Sequence, residues 1–275
     1  MEIHRSILSR YVARLGCALA LAAPPAVSAQ PAPVAAPAAP AVPTRPNTAL
    51  IPVPQTPQDG GGINANVAQS FQTRHQSYVA VARKGGIDLL FVGDSITQGW
   101  PSTGKSVWDA TYSPMKAAAF GVGYDRTQHV LWRLQNGEGE GFSPKVVELL
   151  IGTNNLGGRN TPDETVEGIK AVVQELRTRF PEARILLLGV LPRGGANDPV
   201  RKEVAHVNQA VSQLNDLDHI FYLDLGPKFL GPDSNILPGL MKSDLLHPAA
   251  PGYQVWADAT KNILALLLNS PGTGK

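Results

Sequence analysis

The sequence predicts an α/β fold in which a parallel sheet carries helices on both faces. Short apolar runs that do not alternate with polar residues indicate strands buried on both sides. Segments with apolar residues at helical spacing lie between these runs, the order expected when helices connect parallel strands. Because ligands bind such sheets at the carboxyl ends of the strands, the loops that follow the strands are the place to look for a site.

Five strands are predicted, over residues 87–92, 117–122, 146–151, 185–190 and 220–225. The helix before the first strand ends at Gly85-Gly86, and its apolar face is predicted to carry Val67, Phe71, Tyr78 and Val81. Asp125 is expected to cap the helix after the second strand. A capping box at residues 161–164 predicts a helix that extends to Phe180. Two further helices are predicted over residues 200–214 and 252–268.

The chain divides into three parts by composition. Residues 1–29 are typical of an export signal, with three arginines, a short apolar run, and small residues at positions 27–29 before Gln30. Residues 30–62 are predicted to be a linker, because 11 of the 24 prolines lie between Pro24 and Pro57. Residues 63–270 are predicted to be the folded domain. A secreted or periplasmic protein is therefore expected, and the apolar run is too short for a permanent membrane anchor.

Charge and cysteine content exclude several classes of function. The formal net charge is +2, which gives no electrostatic reason to expect a nucleic-acid partner. A single cysteine, Cys17, excludes a disulfide framework and a multi-thiolate metal site. No motif of metal ligands is present, so neither metal nor cofactor is expected. The oligomeric state is not predicted.

Four polar clusters follow predicted strands: residues 93–99, 121–125, 152–155 and 243–248. Together they offer the groups needed for acyl transfer. A serine hydroxyl such as that of Ser95 needs a base to remove its proton, and His247 is a candidate. Asp244 lies three residues before His247 and can hold its ring. The Gly-x-Ser-x-Gly motif of α/β-hydrolases is absent, which disfavours that fold.

Five stretches of the sequence carry a resemblance to a known family. They are FVGDS at 91–95, the run from Phe120 to Glu138, GTNN at 152–155, LPRG at 191–194 and DLLHP at 244–248. On these the chain resembles SGNH (GDSL-type) hydrolases, and within them the catalytic subunits of platelet-activating-factor acetylhydrolase. The resemblance implies a flavodoxin-like three-layer α/β/α sandwich with five parallel strands. It implies Ser95 as nucleophile, Asp244 and His247 as its partners, and an oxyanion hole formed by Ser95, Tyr124 and Asn154. Tyr124 departs from the pattern, because the family usually has glycine there.

Four other residues are candidate members of the site. Asp94 either orients the nucleophile loop or caps a helix, and Gly123 lies beside the expected oxyanion donor. Trp100 either lines a substrate pocket or packs in the core. Arg193 either borders the cleft or is a solvated loop charge. The remaining histidines of the domain are interpreted as structural or surface residues: His75, His129, His206 and His219.

The predicted function is a secreted serine esterase that hydrolyses short acyl esters, expected to be acetyl esters of carbohydrates or of other extracellular compounds. Alternatives are a lysophospholipase, a platelet-activating-factor-like acetylhydrolase and an acyltransferase. A non-catalytic, flavodoxin-like module that binds anions at Gly93–Gly99 is also considered. The paired Asp244 and His247 argue against that last class, because phosphate binding does not require them.

Overall fold

The computed structural model describes residues 45–59, 62–158 and 160–269. The predicted signal over residues 1–29 and the first part of the predicted linker lie outside these described residues. The described part of the chain contains no helix long and apolar enough to cross a membrane.

A five-stranded parallel sheet forms the centre of the domain, in the order β2-β1-β3-β4-β5. The strands are β1 (Leu89–Gly93), β2 (Ala117–Gly121), β3 (Val146–Leu150), β4 (Arg184–Leu188) and β5 (Ile220–Leu223). The predicted α/β architecture and all five strands are thus confirmed. The fifth strand ends two residues earlier than predicted, because Asp224 accepts the backbone N–H of Gly226 and turns the chain into a short helix.

Long and short helices alternate with these strands. They are α1 (Ala65–Lys84), α2 (Ser95–Gln98), α3 (Lys105–Thr111), α4 (Thr127–Arg133), α5 (Thr153–Leu156), α6 (Pro162–Arg179), α7 (Val200–Val211), α8 (Gly226–Phe229) and α9 (Ala250–Asn269). The capping box predicted for α6 is present, with Thr161 accepting from the backbone of Glu164 and Glu164 from that of Thr161. The predicted helix over 200–214 finishes as a single 3-10 turn after Val211.

The sheet separates two hydrophobic layers because successive side chains of a strand point to opposite faces. Leu90 and Val92 of β1 belong to the layer that packs against α1, α4, α6 and α7. Leu89 and Phe91 belong to the layer that packs against α3 and α9. Val81, predicted to face inward from α1, is instead 39% exposed, while His75 of the same helix is buried.

Residues 45–59 pack against the domain, which differs from the linker predicted over 30–62. Ala49 is fully buried, and its carbonyl accepts a hydrogen bond from the Thr127 hydroxyl at 2.9 Å. The Asn47 side chain donates to the carbonyl of Glu164 at 3.2 Å. Proline-rich composition predicted an extended chain here, but composition carries no information about the hydrogen bonds that attach such a chain to a folded surface.

Candidate active site

Ser95 is the first residue of α2, directly after the sheet. The chain turns sharply between Gly93, at the end of β1, and this helix. A Cβ on Gly93 would lie 2.3 Å from both the Leu150 carbonyl oxygen and the Thr97 hydroxyl, so only glycine fits. At the first position of a helix the backbone N–H has no intrahelical acceptor. The turn therefore presents both the Ser95 hydroxyl and its backbone N–H at the carboxyl edge of the sheet.

The structure brings Ser95, His247 and Asp244 together in one hydrogen-bonded chain. The Ser95 Oγ lies 2.8 Å from His247 Nε2, although the two residues are 152 positions apart in sequence. The His247 Nδ1 lies 2.7 Å from Asp244 Oδ2. This is the arrangement in which an imidazole can take the proton of a serine hydroxyl while a carboxylate holds its ring in one orientation.

The loop that carries His247 is held by Asp244 itself. Its other carboxylate oxygen accepts the backbone N–H groups of Leu246 and His247, each at 3.0 Å. Partial burial acts to raise the pKa of Asp244, but the hydrogen bonds from the His247 backbone and ring lower it to about 2. Asp244 is therefore ionised at neutral pH and can stabilise a positive charge on His247.

Tyr124 occupies a left-handed backbone conformation with φ of 65°. This explains why glycine suits the position, because a side chain there is strained. Among the described residues, no acceptor binds the Tyr124 backbone N–H. Both backbone groups of Gly123 are occupied: its N–H donates to Gln98 at 2.7 Å and its carbonyl accepts from Gln55 at 2.8 Å. Tyr124 thus offers a free donor and Gly123 does not.

Asn154 lies in α5, which follows β3, the strand next to β1 in the sheet. Its side-chain amide donates one hydrogen bond to the Asp125 carbonyl at 2.9 Å. That bond orients the amide, and the second N–H of the same group is left for a ligand. The structure therefore places all three expected oxyanion donors at the carboxyl ends of β1, β2 and β3.

Asp94 caps α2, accepting the backbone N–H of Ile96 at 2.9 Å. Full burial raises the pKa of Asp94 to about 7, against the lowering effect of this hydrogen bond and of the charge of Arg193. Arg193 is half-buried and donates to the carbonyl and the hydroxyl of Thr153 at 3.0 and 3.2 Å. Asp94 therefore supports the nucleophile turn, and Arg193 supports the start of α5, the helix that carries Asn154.

Trp100 packs in the core and does not line a substrate pocket. It is fully buried and its ring packs against those of five neighbours: Phe91, Trp108, Tyr112, Tyr253 and Trp256. The residue lies two positions after the end of α2, and its nearness to Ser95 in sequence suggested a place in the site. The physical reason for the difference is that α2 is one turn long, and the chain re-enters the core immediately after it.

Asp125 does not cap α4, contrary to the prediction; Arg126 occupies the cap position. Asp125 is buried and accepts from Arg133 Nε at 2.7 Å and from Gln55 Nε2 at 2.7 Å. Arg133 also donates to Glu138, and Glu138 binds His75 Nδ1 at 2.8 Å.

This buried ionic cluster (His75, Asp125, Arg133 and Glu138) was not predicted from the sequence. Arg133 also reaches the carbonyls of Gly93 and Phe120, at 3.2 and 3.3 Å, at the ends of β1 and β2. The apolar neighbours of Arg133 within α4 are a sequence signal that this part of the helix faces inward.

No group of three or more metal-ligating side chains occurs within residues 45–59, 62–158 and 160–269.

Comparison with known proteins agrees with this geometry. A family model for GDSL-like lipases and acylhydrolases matches residues 91–255. Platelet-activating factor acetylhydrolase IB subunit alpha2 from Rattus norvegicus is 38% identical over 203 residues, covering 73% of this chain and 86% of the relative. The alpha1 subunit from Homo sapiens is 36% identical over 223 residues, covering 81% and 91%.

The fold is also similar to that of solved structures. A GDSL-like lipase from Bacteroides thetaiotaomicron superposes with a TM-score of 0.56 at 19% identity, covering 70% of this chain and 97% of that one. The extent of the family match and the identity to the mammalian relatives lead to one conclusion: the chain belongs to the GDSL-like lipase/acylhydrolase family.

Proposed function

We propose that this acylhydrolase is a serine esterase that removes short acyl groups, acetyl first among them, through an acyl-enzyme intermediate. The observation that carries the proposal is the hydrogen-bonded chain from Ser95 through His247 to Asp244, with distances of 2.8 and 2.7 Å. The mammalian relatives are named acetylhydrolases, which supports acetyl as the acyl group.

In the first half of the reaction, Ser95 Oγ attacks the ester carbonyl carbon while His247 Nε2 takes the hydroxyl proton. Asp244 stabilises the imidazolium that results. The tetrahedral intermediate places its oxyanion against the N–H groups of Ser95, Tyr124 and Asn154. When the intermediate collapses, the bond to the alcohol oxygen breaks, and His247 returns the proton to the departing alcohol. The acetyl group is left on Ser95.

In the second half, water takes the place of the alcohol. His247 removes a proton from the water as its oxygen attacks the acyl carbon, and the same donors hold the second oxyanion. Collapse then breaks the bond to Ser95 Oγ, which regains its proton from His247, and the carboxylic acid is released. An acyltransferase would use a hydroxyl acceptor here in place of water, so the two activities share the first half of the reaction.

For the alcohol part of the substrate, we infer two candidates from different observations. The export signal predicted over residues 1–29 favours acetylated carbohydrate outside the cytoplasm. The relatives named platelet-activating factor acetylhydrolase favour an acetylated glycerophospholipid. Both are short acyl esters, and both require the same three donors and the same nucleophile.

The test is a substrate panel in two parts with the Ser95→Ala variant as the control throughout. The first part compares p-nitrophenyl acetate, butyrate and octanoate, and we expect kcat/KM to be highest for acetate. The second compares acetylated xylo-oligosaccharide, platelet-activating factor and lysophosphatidylcholine, with released acetate or fatty acid as the readout. A preference for octanoate and lysophosphatidylcholine would contradict an acetylesterase. Hydrolysis that persists in Ser95→Ala would contradict the assigned nucleophile.

A further inference from the structure

Gln55 connects the N-terminal segment at residues 45–59 to the loop that offers the Tyr124 N–H. It is 3% exposed, and its Nε2 donates to the Gly123 carbonyl at 2.8 Å and to Asp125 Oδ1 at 2.7 Å. Both partners are acceptors, so only the NH2 side of the amide can face them. Gln55 Oε1 is buried without a partner, which indicates that the two donated bonds set the orientation of this side chain.

The Gly123 carbonyl and the Tyr124 N–H belong to the same peptide group. The described peptide bonds include no cis bond, and in a trans peptide these two groups point in opposite directions. Whatever holds the Gly123 carbonyl on one side therefore directs the Tyr124 N–H to the other. If this peptide rotated by half a turn, the carbonyl would face the substrate and the oxyanion hole would lose a donor.

The strained backbone of Tyr124 acts in favour of this rotation. The rotation changes the φ of the following residue, so it would move Tyr124 from its φ of 65° to the negative region preferred by residues with a side chain. The strain of a left-handed tyrosine is comparable in size to the net contribution of one hydrogen bond. A single hydrogen bond to the Gly123 carbonyl is therefore enough to decide which orientation is populated.

We propose that Gln55 is a positioning residue that holds the Gly123–Tyr124 peptide with its N–H directed toward the oxyanion. This inference rests on the proposed esterase function and on Tyr124 as an oxyanion donor. It gives Gln55, which lies outside the span matched by the family model, a role in positioning an oxyanion donor. Gln98, which binds the Gly123 N–H, fixes the preceding peptide instead.

The experiment compares Gln55→Met with Asn47→Ala in the full chain, using p-nitrophenyl acetate. Methionine keeps the length of the side chain and removes the donor. Asn47 is the matched control, because its amide also attaches this segment to a main-chain carbonyl, that of Glu164, away from the oxyanion loop. Gln55→Asn is a second variant that keeps the amide but is one methylene too short. Thermal unfolding of each variant establishes that it is folded at the assay temperature.

We expect Gln55→Met to lower kcat about tenfold to a hundredfold, which is less than the loss of about 10² to 10³ that follows removal of one whole oxyanion donor. We expect KM to change less than about threefold, because the substrate carbonyl needs this donor mainly in the transition state. Asn47→Ala should lower Tm and leave kcat within about twofold.

A double-mutant cycle with Tyr124→Gly separates positioning from general packing. Glycine is unstrained at positive φ, so the peptide has less tendency to rotate when the Gln55 bond is lost. The cost of Gln55→Met should therefore be several-fold smaller in the Tyr124→Gly background than in the wild type.

Three outcomes would overturn the inference. The first is a wild-type kcat in folded Gln55→Met or Gln55→Asn. The second is a loss of kcat in Asn47→Ala equal to that in Gln55→Met. The third is a loss of kcat on Gln55→Met that is equal in the wild-type and Tyr124→Gly backgrounds. In each case Ser95-dependent hydrolysis by the wild type would leave the proposed function intact. A wild type without Ser95-dependent hydrolysis would overturn the function and this inference together.

Discussion

Asp244 and Asp125 both bind a basic side chain, but in opposite surroundings. The Asp244 side chain is 46% exposed and holds His247, whereas that of Asp125 is fully buried and holds Arg133. Partial burial acts to raise the pKa of Asp244, but several hydrogen bonds lower it to about 2. Full burial raises the pKa of Asp125 in spite of its cation. The same chemical group is therefore suited to polarise an imidazole in one place and to fix a loop in the other.

The difference indicates that the exposed pair and the buried ionic cluster have separate roles in the site. The pair of Asp244 and His247 is partly exposed beside Ser95, where its protonation can change during a reaction. The buried ionic cluster lies behind the strand ends, where Arg133 binds the carbonyls of Gly93 and Phe120. We infer that the exposed pair performs the chemistry and that the buried cluster sets the positions of the loops that serve it.

The largest expected effect is on the exposed carboxylate. Asp244→Asn should lower kcat by about 10⁴, because the imidazole loses its preferred tautomer and the charge that stabilises it. The free energy of unfolding should change by less than about 1 kcal/mol, since the lost ion pair is partly exposed. Steady-state kinetics and denaturant unfolding measure the two quantities. A variant that keeps wild-type kcat would remove Asp244 from the mechanism.

The same substitution at the buried aspartate should lower stability more than it lowers kcat. Asp125→Asn removes the buried negative charge to which Arg133 and Gln55 both donate. We therefore expect a loss of about 3 kcal/mol in the free energy of unfolding. For a domain of this size that corresponds to a decrease in Tm of about 6 to 12 °C. In the folded fraction, kcat should decrease far less than in Asp244→Asn. Unchanged stability would show that the buried cluster does not hold the loop.

The contrast also explains which features the sequence could predict. The fold followed from unalternating apolar runs, and Ser95, Asn154 and His247 are predicted as site residues because polar residues in the loops after strands have few structural reasons to be there. Gln55 and Arg133 gave no such signal. Gln55 lies in a proline-rich stretch with no periodicity, and the partners of Arg133 depend on which loops meet at the end of β2.

Trp100 shows that nearness in sequence does not by itself place a side chain in the site. Its position five residues after the nucleophile placed it near the site in sequence, but its ring belongs to the aromatic core beneath α2. The role of Tyr124 could be predicted only in part. Its role as a backbone donor was expected from the resemblance to the family, whereas its positive φ is a property of the turn that only the structure displays.

Covalent labelling tests most directly whether Ser95 is an activated nucleophile. A fluorophosphonate reacts with a serine whose proton is removed by a neighbouring base, and it leaves a stable adduct. We predict stoichiometric labelling of the folded wild type, with the added mass on the peptide that contains Ser95 and none in Ser95→Ala. Labelling of a folded Ser95→Ala variant, or a folded wild type that takes up no label, would contradict the account.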